Sequence, residues 1–315
     1  MSEPIPPTMQ AVVLTGHGGP EKLEVHEDWP VPQPGADQVL IKVAACGLNN
    51  TDINTRSGWY SKAVSAATTS EAYDKINEED PSWGGAPLAF PRIQGADVAG
   101  TVVAAGSNVD AAWIGRRVIT DCWLRDWDDP MNRDATGYFG SECDGGFAEY
   151  TVIDHRNIGH ITCDLSFAEL ATFSCSYSTA EGMLDRAAVT DTDTVLITGA
   201  SGGVGSALVQ LAKRRGATVV ALASEAKHAS VAALGADYLL PRSPDKLAEQ
   251  LQQATGRPTI DVVADIVGGD NFSTLIECLV RGGRFTCSGA IAGPIVELDL
   301  RTLCLLYTSP SPRDS

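Results

Sequence analysis

Residues 199–205 have a composition and a setting that suit phosphate binding. The segment reads GASGGVG, follows the apolar run VLIT, and opens a stretch with apolar residues at helical spacing. Glycines let the backbone turn tightly and approach an anion, and the first amides of a helix point at that anion. Between a strand and a helix, this spacing predicts a site for the diphosphate of a dinucleotide. The residues assigned to the diphosphate are Gly199, Ala200, Ser201, Gly202, Gly203, Val204 and Gly205.

The next apolar run bears on which nicotinamide dinucleotide binds. It ends at Ala223, where NAD-binding folds carry an acidic residue that accepts hydrogen bonds from the ribose. A small residue leaves room for a 2′-phosphate, to which Ser224 can donate a hydrogen bond and Lys227 can contribute charge. The sequence therefore favours NADP(H). The alternative is that Lys227 is a solvated helix residue and that Glu225 binds the ribose of NAD(H).

Predicted strands and helices alternate in the second half of the chain, which is typical of a parallel sheet with right-handed crossovers. The first predicted helix begins with a capping box formed by Ser166 and Glu169. Ligands bind at the carboxyl edge of such a sheet, so the backbone of Gly268, Gly289 and Ala290 is predicted to face the nicotinamide. Strands are predicted at residues 194–198, 218–223, 237–240, 261–267 and 284–288, and helices at 166–187, 203–215, 225–234, 244–254 and 270–280.

The first half of the chain is rich in predicted strands. Residues 61–91 are polar and lack periodicity, which predicts an inserted loop over a short helix at residues 70–79. Strands are predicted at residues 10–14, 39–44, 98–104, 117–120 and 147–153.

Charge and composition exclude several classes of partner. The net charge of −17 repels nucleic-acid backbones, so no nucleic-acid partner is expected. No apolar run approaches the roughly 20 residues of a membrane span, so no membrane partner is expected. The first residues lack the features of a signal peptide, and the eight cysteines show no CxxC spacing. These features predict free thiols and a cytoplasmic location.

Six short motifs, arranged in one order along residues 10–303, resemble the medium-chain dehydrogenase/reductase superfamily, in particular its quinone oxidoreductase and enoyl reductase branch. Besides the glycine loop, they are CGLNNTDINTRSGWY from residue 46, QGADVAG from 94, DGGFAEY from 144, DVVADIVGG from 261 and RGGRF from 281. The resemblance implies an α/β fold with a Rossmann doubly wound parallel sheet and an N-terminal chaperonin-10-like β-barrel domain. It also implies a small-molecule substrate. We expect the catalytic domain at residues 1–160 and the Rossmann domain at 161–303.

Zinc is not expected, because the ligand positions of the zinc-dependent members are changed. Those members bind the catalytic metal through Cys, His and Cys. The resemblance places the first Cys at Asn49, the His at Ala96 and a following Glu at Asp97, so that only Cys175 matches a ligand position. A structural zinc lobe needs four closely spaced cysteines. Residues 121–143, where the lobe would lie, supply only Cys122 and Cys143.

Without a metal, another group must orient or protonate the substrate. In related enoyl reductases a tyrosine at the position of Tyr60 is proposed as a proton donor or orienting group. Hydride addition to a quinone or an α,β-unsaturated carbonyl leaves an oxygen that needs a proton. Tyr60 can donate it while Asn49 or Thr51 hydrogen-bonds that oxygen. The alternative is that Tyr60 only packs at the mouth of the cleft and that water delivers the proton.

The C-terminal residues depart from the family pattern. Five strands of the parallel sheet are predicted, whereas a doubly wound dinucleotide fold usually has six. Residues 304–315 are rich in Ser and Pro, which cannot supply a central strand. We therefore expect a C-terminally truncated fold with a non-native or disordered tail at residues 304–315. Relatives form homodimers, but the sixth strand often provides the dimer edge, so the same assembly is not expected here.

Two further functions remain as alternatives to an NADP(H)-dependent quinone or enone reductase. One is a cofactor-binding protein with little catalysis, as in the lens-crystallin relatives. The other is a zinc-type alcohol dehydrogenase, which Asn49 and Ala96 disfavour.

Overall fold

The computed structural model describes residues 4–68, 76–77, 79–80, 82, 85–129, 131–132 and 136–307. The chain divides into two compact units. The N-terminal unit comprises Met1–Val64 and Glu71–Cys175, and the C-terminal unit comprises Ser65–Ser70 and Ser176–Ser315. The first unit thus extends past residue 160 and includes the start of the first long helix.

The described strands of the N-terminal unit form antiparallel sheets. The five-stranded sheet has the order β10-β6-β5-β3-β9, and the three-stranded sheet has the order β2-β1-β4. Alternate residues of these strands face an apolar core, as expected for strands with one buried side. The strands are β1 (Thr8–Leu14), β2 (Leu23–Pro30), β3 (Gln38–Gly47), β4 (Arg92–Ile93), β5 (Asp97–Ala105), β6 (Arg117–Thr120), β7 (Trp123–Leu124), β8 (Gly137–Tyr138), β9 (Tyr150–Asp154) and β10 (Ile158–His160).

Short helices position the polar residues of this unit. Helix α1 (Asn50–Arg56) follows β3 directly, with Asn49 at its N-cap. Helix α2 (Phe167–Leu170) begins with the predicted capping box, in which Ser166 Oγ accepts from the Glu169 amide at 3.2 Å. Helix α3 (Ser174–Arg186) follows after a short break.

The C-terminal unit contains a five-stranded parallel sheet of order β13-β12-β11-β14-β15. Its strands are β11 (Thr194–Ile197), β12 (Thr218–Ala223), β13 (Tyr238–Pro241), β14 (Ile260–Asp265) and β15 (Leu279–Cys287). Its further helices are α4 (Gly203–Arg214), α5 (His228–Ala233), α6 (Leu247–Thr255), α7 (Phe272–Glu277) and α8 (Leu300–Tyr307).

Helices cover both faces of this sheet, which confirms the predicted doubly wound α/β class. Side chains alternate between the faces along each strand. Val195 and Ile197 of β11 pack with α3, α4 and α5, whereas Leu196 packs with α6 and α7. Because both faces are buried, the central strands are almost entirely apolar, as is usual for parallel sheets.

Several element boundaries differ from the sequence prediction. The helix predicted at 166–187 is divided into α2 and α3, and the helix predicted at 225–234 begins as a 3-10 turn, Glu225–Lys227, before α5. Helix α6 starts at Leu247 because Lys246 adopts a left-handed φ of 59°. Helix α7 ends at Glu277, and β15 begins at Leu279 instead of residue 284, because the chain returns to pair Leu279 with Ile260 before its register shifts.

Two predicted elements of the first half also start at another residue or lie mainly outside the described residues. The strand predicted at 147–153 starts at Tyr150 because Ala148 forms only an isolated bridge with Ala11, and the chain then pairs with β3. The helix predicted at 70–79 falls mainly outside the described residues.

The last described element is α8, which includes residues 304–307 of the predicted tail; residues 308–315 lie outside the described part. Within the described residues, no helix has the length and apolar character needed to cross a bilayer. All eight cysteines are free thiols.

Candidate functional site

The glycine loop, residues 199–205, connects β11 to α4 and has the geometry of an anion site. Gly199 adopts a φ of +56°, a conformation that favours glycine. A Cβ on Gly205 would lie 2.2 Å from the carbonyl oxygen of Gly199, so the helix can approach the loop only without a side chain there. Helix α4 starts at Gly203 and carries no side-chain cap at Gly202. Its first turn therefore suits an anion such as a diphosphate.

The remaining loop residues have different surroundings. Ala200 is wholly buried in the core, and its amide donates to Leu222 O at 3.1 Å, so it anchors the loop to β12. Ser201 and Val204 are half-buried, while Gly202 and Gly203 are exposed. The exposed stretch of the loop lies at the start of α4, where the predicted ligand would bind.

The segment after β12 provides the groups predicted to select the cofactor. Ala223 ends the strand and is 2% exposed, so no carboxylate stands at this position. Ser224 precedes the 3-10 turn and is half-buried, and its side chain does not cap that turn. Lys227 and Glu225 are both exposed on the turn. Each of the two predicted cofactor preferences therefore has a polar side chain available at this edge.

The structure brings the predicted nicotinamide-facing residues together at the carboxyl edge of the sheet. A Cβ on Gly268 would lie 3.2 Å from the Ala290 Cα, so these two residues are neighbours. A Cβ on Gly289 would lie 2.5 Å from Ile266 O, so its backbone packs directly on the turn after β14. The two backbone segments form one surface within the C-terminal unit.

In the N-terminal unit, the hydroxyl groups of Thr51 and Tyr60 lie 3.0 Å apart. Burial raises the pKa of Tyr60, although hydrogen bonds from Thr51 and Asn54 act in the opposite direction. The phenol therefore remains protonated at neutral pH and can donate a hydrogen bond to an oxygen atom. Sequence reasoning chose these two residues from separate positions of one motif, and the fold places their hydroxyls in contact.

The third predicted catalytic residue, Asn49, belongs to a hydrogen-bonded polar cluster that we define as Asn49, Asp52, Asp97 and Cys175. Asn49 Nδ2 donates to Asp97 Oδ2 at 3.0 Å, and the Cys175 amide donates to Asp97 Oδ1 at 2.7 Å. The Asn49 backbone amide donates to Asp52 Oδ2 at 2.8 Å, so Asp52 holds the start of α1. Asp97 joins three segments that are far apart in the chain.

The carboxyl groups of the polar cluster have unusual proton affinity. Burial raises the pKa of Asp52 to about 6, partly offset by the Asn49 amide and reinforced by the neighbouring Asp97. Burial likewise raises the pKa of Asp97, against the hydrogen bonds from Asn49 and Cys175. Two carboxyls that share a buried site disfavour each other's ionisation.

Neighbouring groups shift the pKa of Cys175 in opposite directions. A hydrogen bond from the Cys122 thiol lowers the pKa of Cys175, burial opposes this effect, and the Tyr138 hydroxyl supports it. Ala96 and Cys122 are both fully buried and pack with Tyr138 in the same small cluster. Sequence reasoning missed Tyr138, because nothing in its local sequence marks it as a neighbour of residue 175.

The residues at the zinc-ligand positions do not fit a catalytic zinc. A catalytic zinc site takes three protein ligands, usually His, Cys or a carboxylate. Here the side-chain nitrogen Asn49 Nδ2 donates a hydrogen bond to Asp97. Ala96 has no side-chain atom that can bind a metal, and Cys175 interacts with Cys122 and Tyr138. Among the described residues, no three His, Cys, Asp or Glu side chains are grouped so that they could hold a metal ion.

Two family models match the chain in its two halves. The alcohol dehydrogenase GroES-like domain matches residues 35–162, and the zinc-binding dehydrogenase model matches residues 203–310. The first match confirms the predicted chaperonin-10-like class for the N-terminal domain. The second match lies in the half of the chain that contains the parallel sheet. The name of that family refers to zinc, but the match does not identify zinc ligands in this chain.

Individual relatives agree with the family models. The quinone oxidoreductase of Lama guanicoe is 30% identical over 289 residues, covering 91% of this chain and 74% of that protein. A crystal structure from Sinorhizobium meliloti 1021 that is titled an alcohol dehydrogenase is 45% identical to this chain, with a TM-score of 0.85. The match covers 98% of this chain and 85% of that one.

A third similar structure is the cobalt- and zinc-bound thermostable alcohol dehydrogenase of Pyrobaculum aerophilum. It is 28% identical with a TM-score of 0.74, and covers 95% of this chain and 81% of that one. Relatives of both the quinone oxidoreductase and the alcohol dehydrogenase kind therefore share this architecture. Together, the glycine loop, the two family matches and these relatives establish that the chain belongs to the medium-chain dehydrogenase/reductase superfamily and is an oxidoreductase that uses a nicotinamide cofactor.

Proposed function

We propose that this chain is an NADP(H)-dependent reductase of quinones, enones or other α,β-unsaturated carbonyls, and that it works without zinc. The observation that carries the proposal is the polar cluster. Asn49 and Cys175 lie at positions where the resemblance places zinc ligands, and here both are hydrogen-bonded to Asp97. In zinc-dependent enzymes the metal polarises the carbonyl oxygen of a simple ketone. A conjugated acceptor spreads the developing charge, so hydrogen bonds of this chain suffice to stabilise it.

The chain's own residues then have the following roles. The bound cofactor supplies the hydride. The glycine loop holds the diphosphate, Ser224 and Lys227 bind the 2′-phosphate, and the backbone of Gly268, Gly289 and Ala290 faces the nicotinamide. These assignments account for the half-buried Ser224 and the exposed Lys227 beside a strand that ends in alanine.

Tyr60 and Thr51 act on the substrate oxygen. The raised pKa of Tyr60 keeps its hydroxyl protonated, so it stabilises the enolate or quinol oxygen as a hydrogen-bond donor. Thr51, 3.0 Å away, orients that hydroxyl. A weak acid of this kind transfers its proton only as negative charge accumulates on the substrate.

Eight free thiols also support the proposal that the protein works in the cytoplasm.

The test compares four acceptors under one condition. NADPH oxidation is followed with a 1,2-quinone, an enone, an enoyl-CoA and a simple saturated ketone, each with and without a metal chelator. We expect turnover with at least one conjugated acceptor, little with the ketone, and no effect of the chelator. Tight NADPH binding with no turnover of any acceptor would instead indicate a cofactor-binding protein with little catalysis. Loss of activity with chelator and recovery with zinc would overturn the metal-free proposal.

A further inference from the structure

A buried carboxylate and a threonine connect the two halves of the cofactor site, and no role above includes them. Asp265 is the last residue of β14 and is 0% exposed. Its Oδ1 accepts from Thr198 Oγ1 at 2.6 Å and from the Val267 amide at 2.9 Å, and its Oδ2 accepts from the Gly268 amide at 3.1 Å. A polar side chain buried this deeply needs hydrogen-bond partners, and here they come from the segments that surround the cofactor edge.

Thr198 stands between the glycine loop and the turn after β14. It follows β11 directly and precedes Gly199, the first residue of the glycine loop. Its Oγ1 accepts from the Ile266 amide at 3.0 Å while donating to Asp265. The hydroxyl thus both donates and accepts a hydrogen bond, so the same oxygen atom holds the start of the loop and the start of the turn.

The turn of residues 266–269 is also hydrogen-bonded to the segment after β15. The Ala292 amide donates to Val267 O at 2.8 Å, and the Gly269 amide donates to Gly293 O at 3.2 Å. Gly289 packs on Ile266 O so closely that a Cβ would stand 2.5 Å from that oxygen. A shift of the turn would therefore shift the backbone of residues 289–293 with it.

We propose that Thr198 and Asp265 are positioning residues for hydride transfer. They fix the turn of residues 266–269, and through it residues 289 and 290, at a set distance from the loop that anchors the diphosphate. Hydride transfer needs the reacting carbons at roughly 3–3.5 Å in a set orientation, so a small displacement of the nicotinamide surface lowers the rate more than it lowers binding. The inference rests on the part of the proposed function that assigns Gly268, Gly289 and Ala290 to the nicotinamide.

The key variant is Thr198→Val, which keeps the shape of the side chain and removes its hydroxyl. Thr198→Ser is the matched control that keeps the hydroxyl. A second control, Ile197→Val, removes one methylene-sized group from the same strand and keeps both hydrogen bonds of the Thr198 hydroxyl. Melting temperatures of all three establish that the proteins are folded before any other comparison.

The first readout is binding, measured without turnover. Titrations compare NADPH with 2′-phospho-ADP-ribose, which lacks the nicotinamide half, and NADH with ADP-ribose. In Thr198→Val, we expect the fragment to bind within about twofold of wild type, because the glycine loop keeps its own backbone hydrogen bonds, from the Ala200 amide to Leu222 O and from the Gly202 amide to Gly199 O. The intact cofactor should lose the extra affinity that its nicotinamide half provides, and hydrogen exchange of the amides in residues 266–269 should accelerate.

The second readout is the reaction. With the best conjugated acceptor, kcat of Thr198→Val should fall about tenfold or more, as expected for a misplaced reactant. The primary deuterium isotope effect with deuterated NADPH should increase, because the hydride step becomes limiting. Thr198→Ser and Ile197→Val should keep both values near wild type.

The outcomes separate this inference from its premises. If Thr198→Val weakens the fragment and the intact cofactor equally, or leaves kcat, the isotope effect and hydrogen exchange unchanged, the pair has only a structural role. If the wild-type protein turns over no acceptor, the proposed substrate class fails, and the binding and exchange comparison still decides the positioning role. If NADH binds better than NADPH, the cofactor preference fails, and the ADP-ribose comparison serves the same purpose.

Discussion

The two candidate functional regions of this protein are formed by different kinds of groups. In the C-terminal unit, the glycine loop and the turn after β14 present backbone groups, and their shape depends on the absence of side chains at Gly199 and Gly205. In the N-terminal unit, the candidate catalytic groups are side chains from distant segments that meet around Asp97 and around the Tyr60 hydroxyl. The candidate cofactor loop is thus shaped by local chain geometry, whereas the candidate catalytic side chains are brought together only by tertiary contacts.

The largest expected effect is on the backbone-built region. In Gly205→Ala the new methyl group would lie 2.2 Å from Gly199 O, so the loop and α4 must separate. We expect NADPH affinity to fall about a hundredfold, in line with the cost of forcing atoms into a packed site. Fluorescence titration with NADPH measures the change, alongside thermal unfolding.

The matched control for that substitution is Gly182→Ala, inside α3, a position to which no cofactor contact is assigned. Its Cβ would lie 3.9 Å from Arg186 Nη1, an ordinary contact, so the methyl group can be accommodated. NADPH binding should change little. Equal losses in the two variants would show that close approach of the helix is not what shapes the loop.

The next largest effect is on the side-chain-built region. Tyr60→Phe removes the hydroxyl that contacts Thr51 but keeps the ring, so we expect kcat to fall about a hundredfold with little change in KM. Thr51→Val should reduce kcat less, because it removes only the partner that orients the phenol. Steady-state rates with the best conjugated acceptor measure both. A Tyr60→Phe enzyme with nearly normal kcat would favour direct protonation by water.

A third prediction uses the proton affinity of Asp52. Because its pKa is raised from 3.8 to about 6 in the folded protein, the protonated form favours folding. This contribution is complete below the unfolded pKa and is lost as pH rises from about 4 through about 6, to a total of roughly 3 kcal/mol. Asp52→Asn cannot ionise, so its stability relative to wild type should rise over this pH range and then stay constant.

Urea unfolding of both proteins between pH 4 and pH 8 tests that prediction. The Asn side-chain oxygen can still accept from the Asn49 amide, so the start of α1 should persist. A stability difference that is independent of pH would mean that Asp52 does not titrate in this window.

The smallest expected effect concerns cofactor choice. Lys227→Ala should weaken NADPH binding about tenfold and leave NADH binding nearly unchanged, because it removes one charge-assisted contact at an exposed site. Glu225→Gln is the informative companion. If it weakens NADH binding while Lys227→Ala weakens neither cofactor selectively, the ribose is bound by Glu225, and the preference for NADP(H) is refuted.

The sequence predicted the C-terminal unit well because its signals are local. The alternation of predicted strands and helices predicted the parallel sheet, the glycines between a strand and a helix predicted the loop, and Ser166 with Glu169 predicted the start of α2. Boundaries were less accurate where the chain turns back on itself. The pairing of Leu279 with Ile260 depends on a contact across the sheet and could not be deduced from the periodicity around residue 279.

The sequence by itself determined the class of the fold and the position of a glycine-rich loop between a strand and a helix, and it put Asn49 and Ala96 where the resemblance implies zinc ligands, because each of these signals lies in neighbouring residues or single positions. Only the tertiary structure decided which groups surround those positions. Asp97 collects Asn49 and Cys175 because β5, the start of α1 and the start of α3 converge there. Asp265 collects Thr198 because β14 lies beside β11. A buried carboxylate must find its donors wherever the fold brings them, and that choice is made by packing between segments rather than by local sequence.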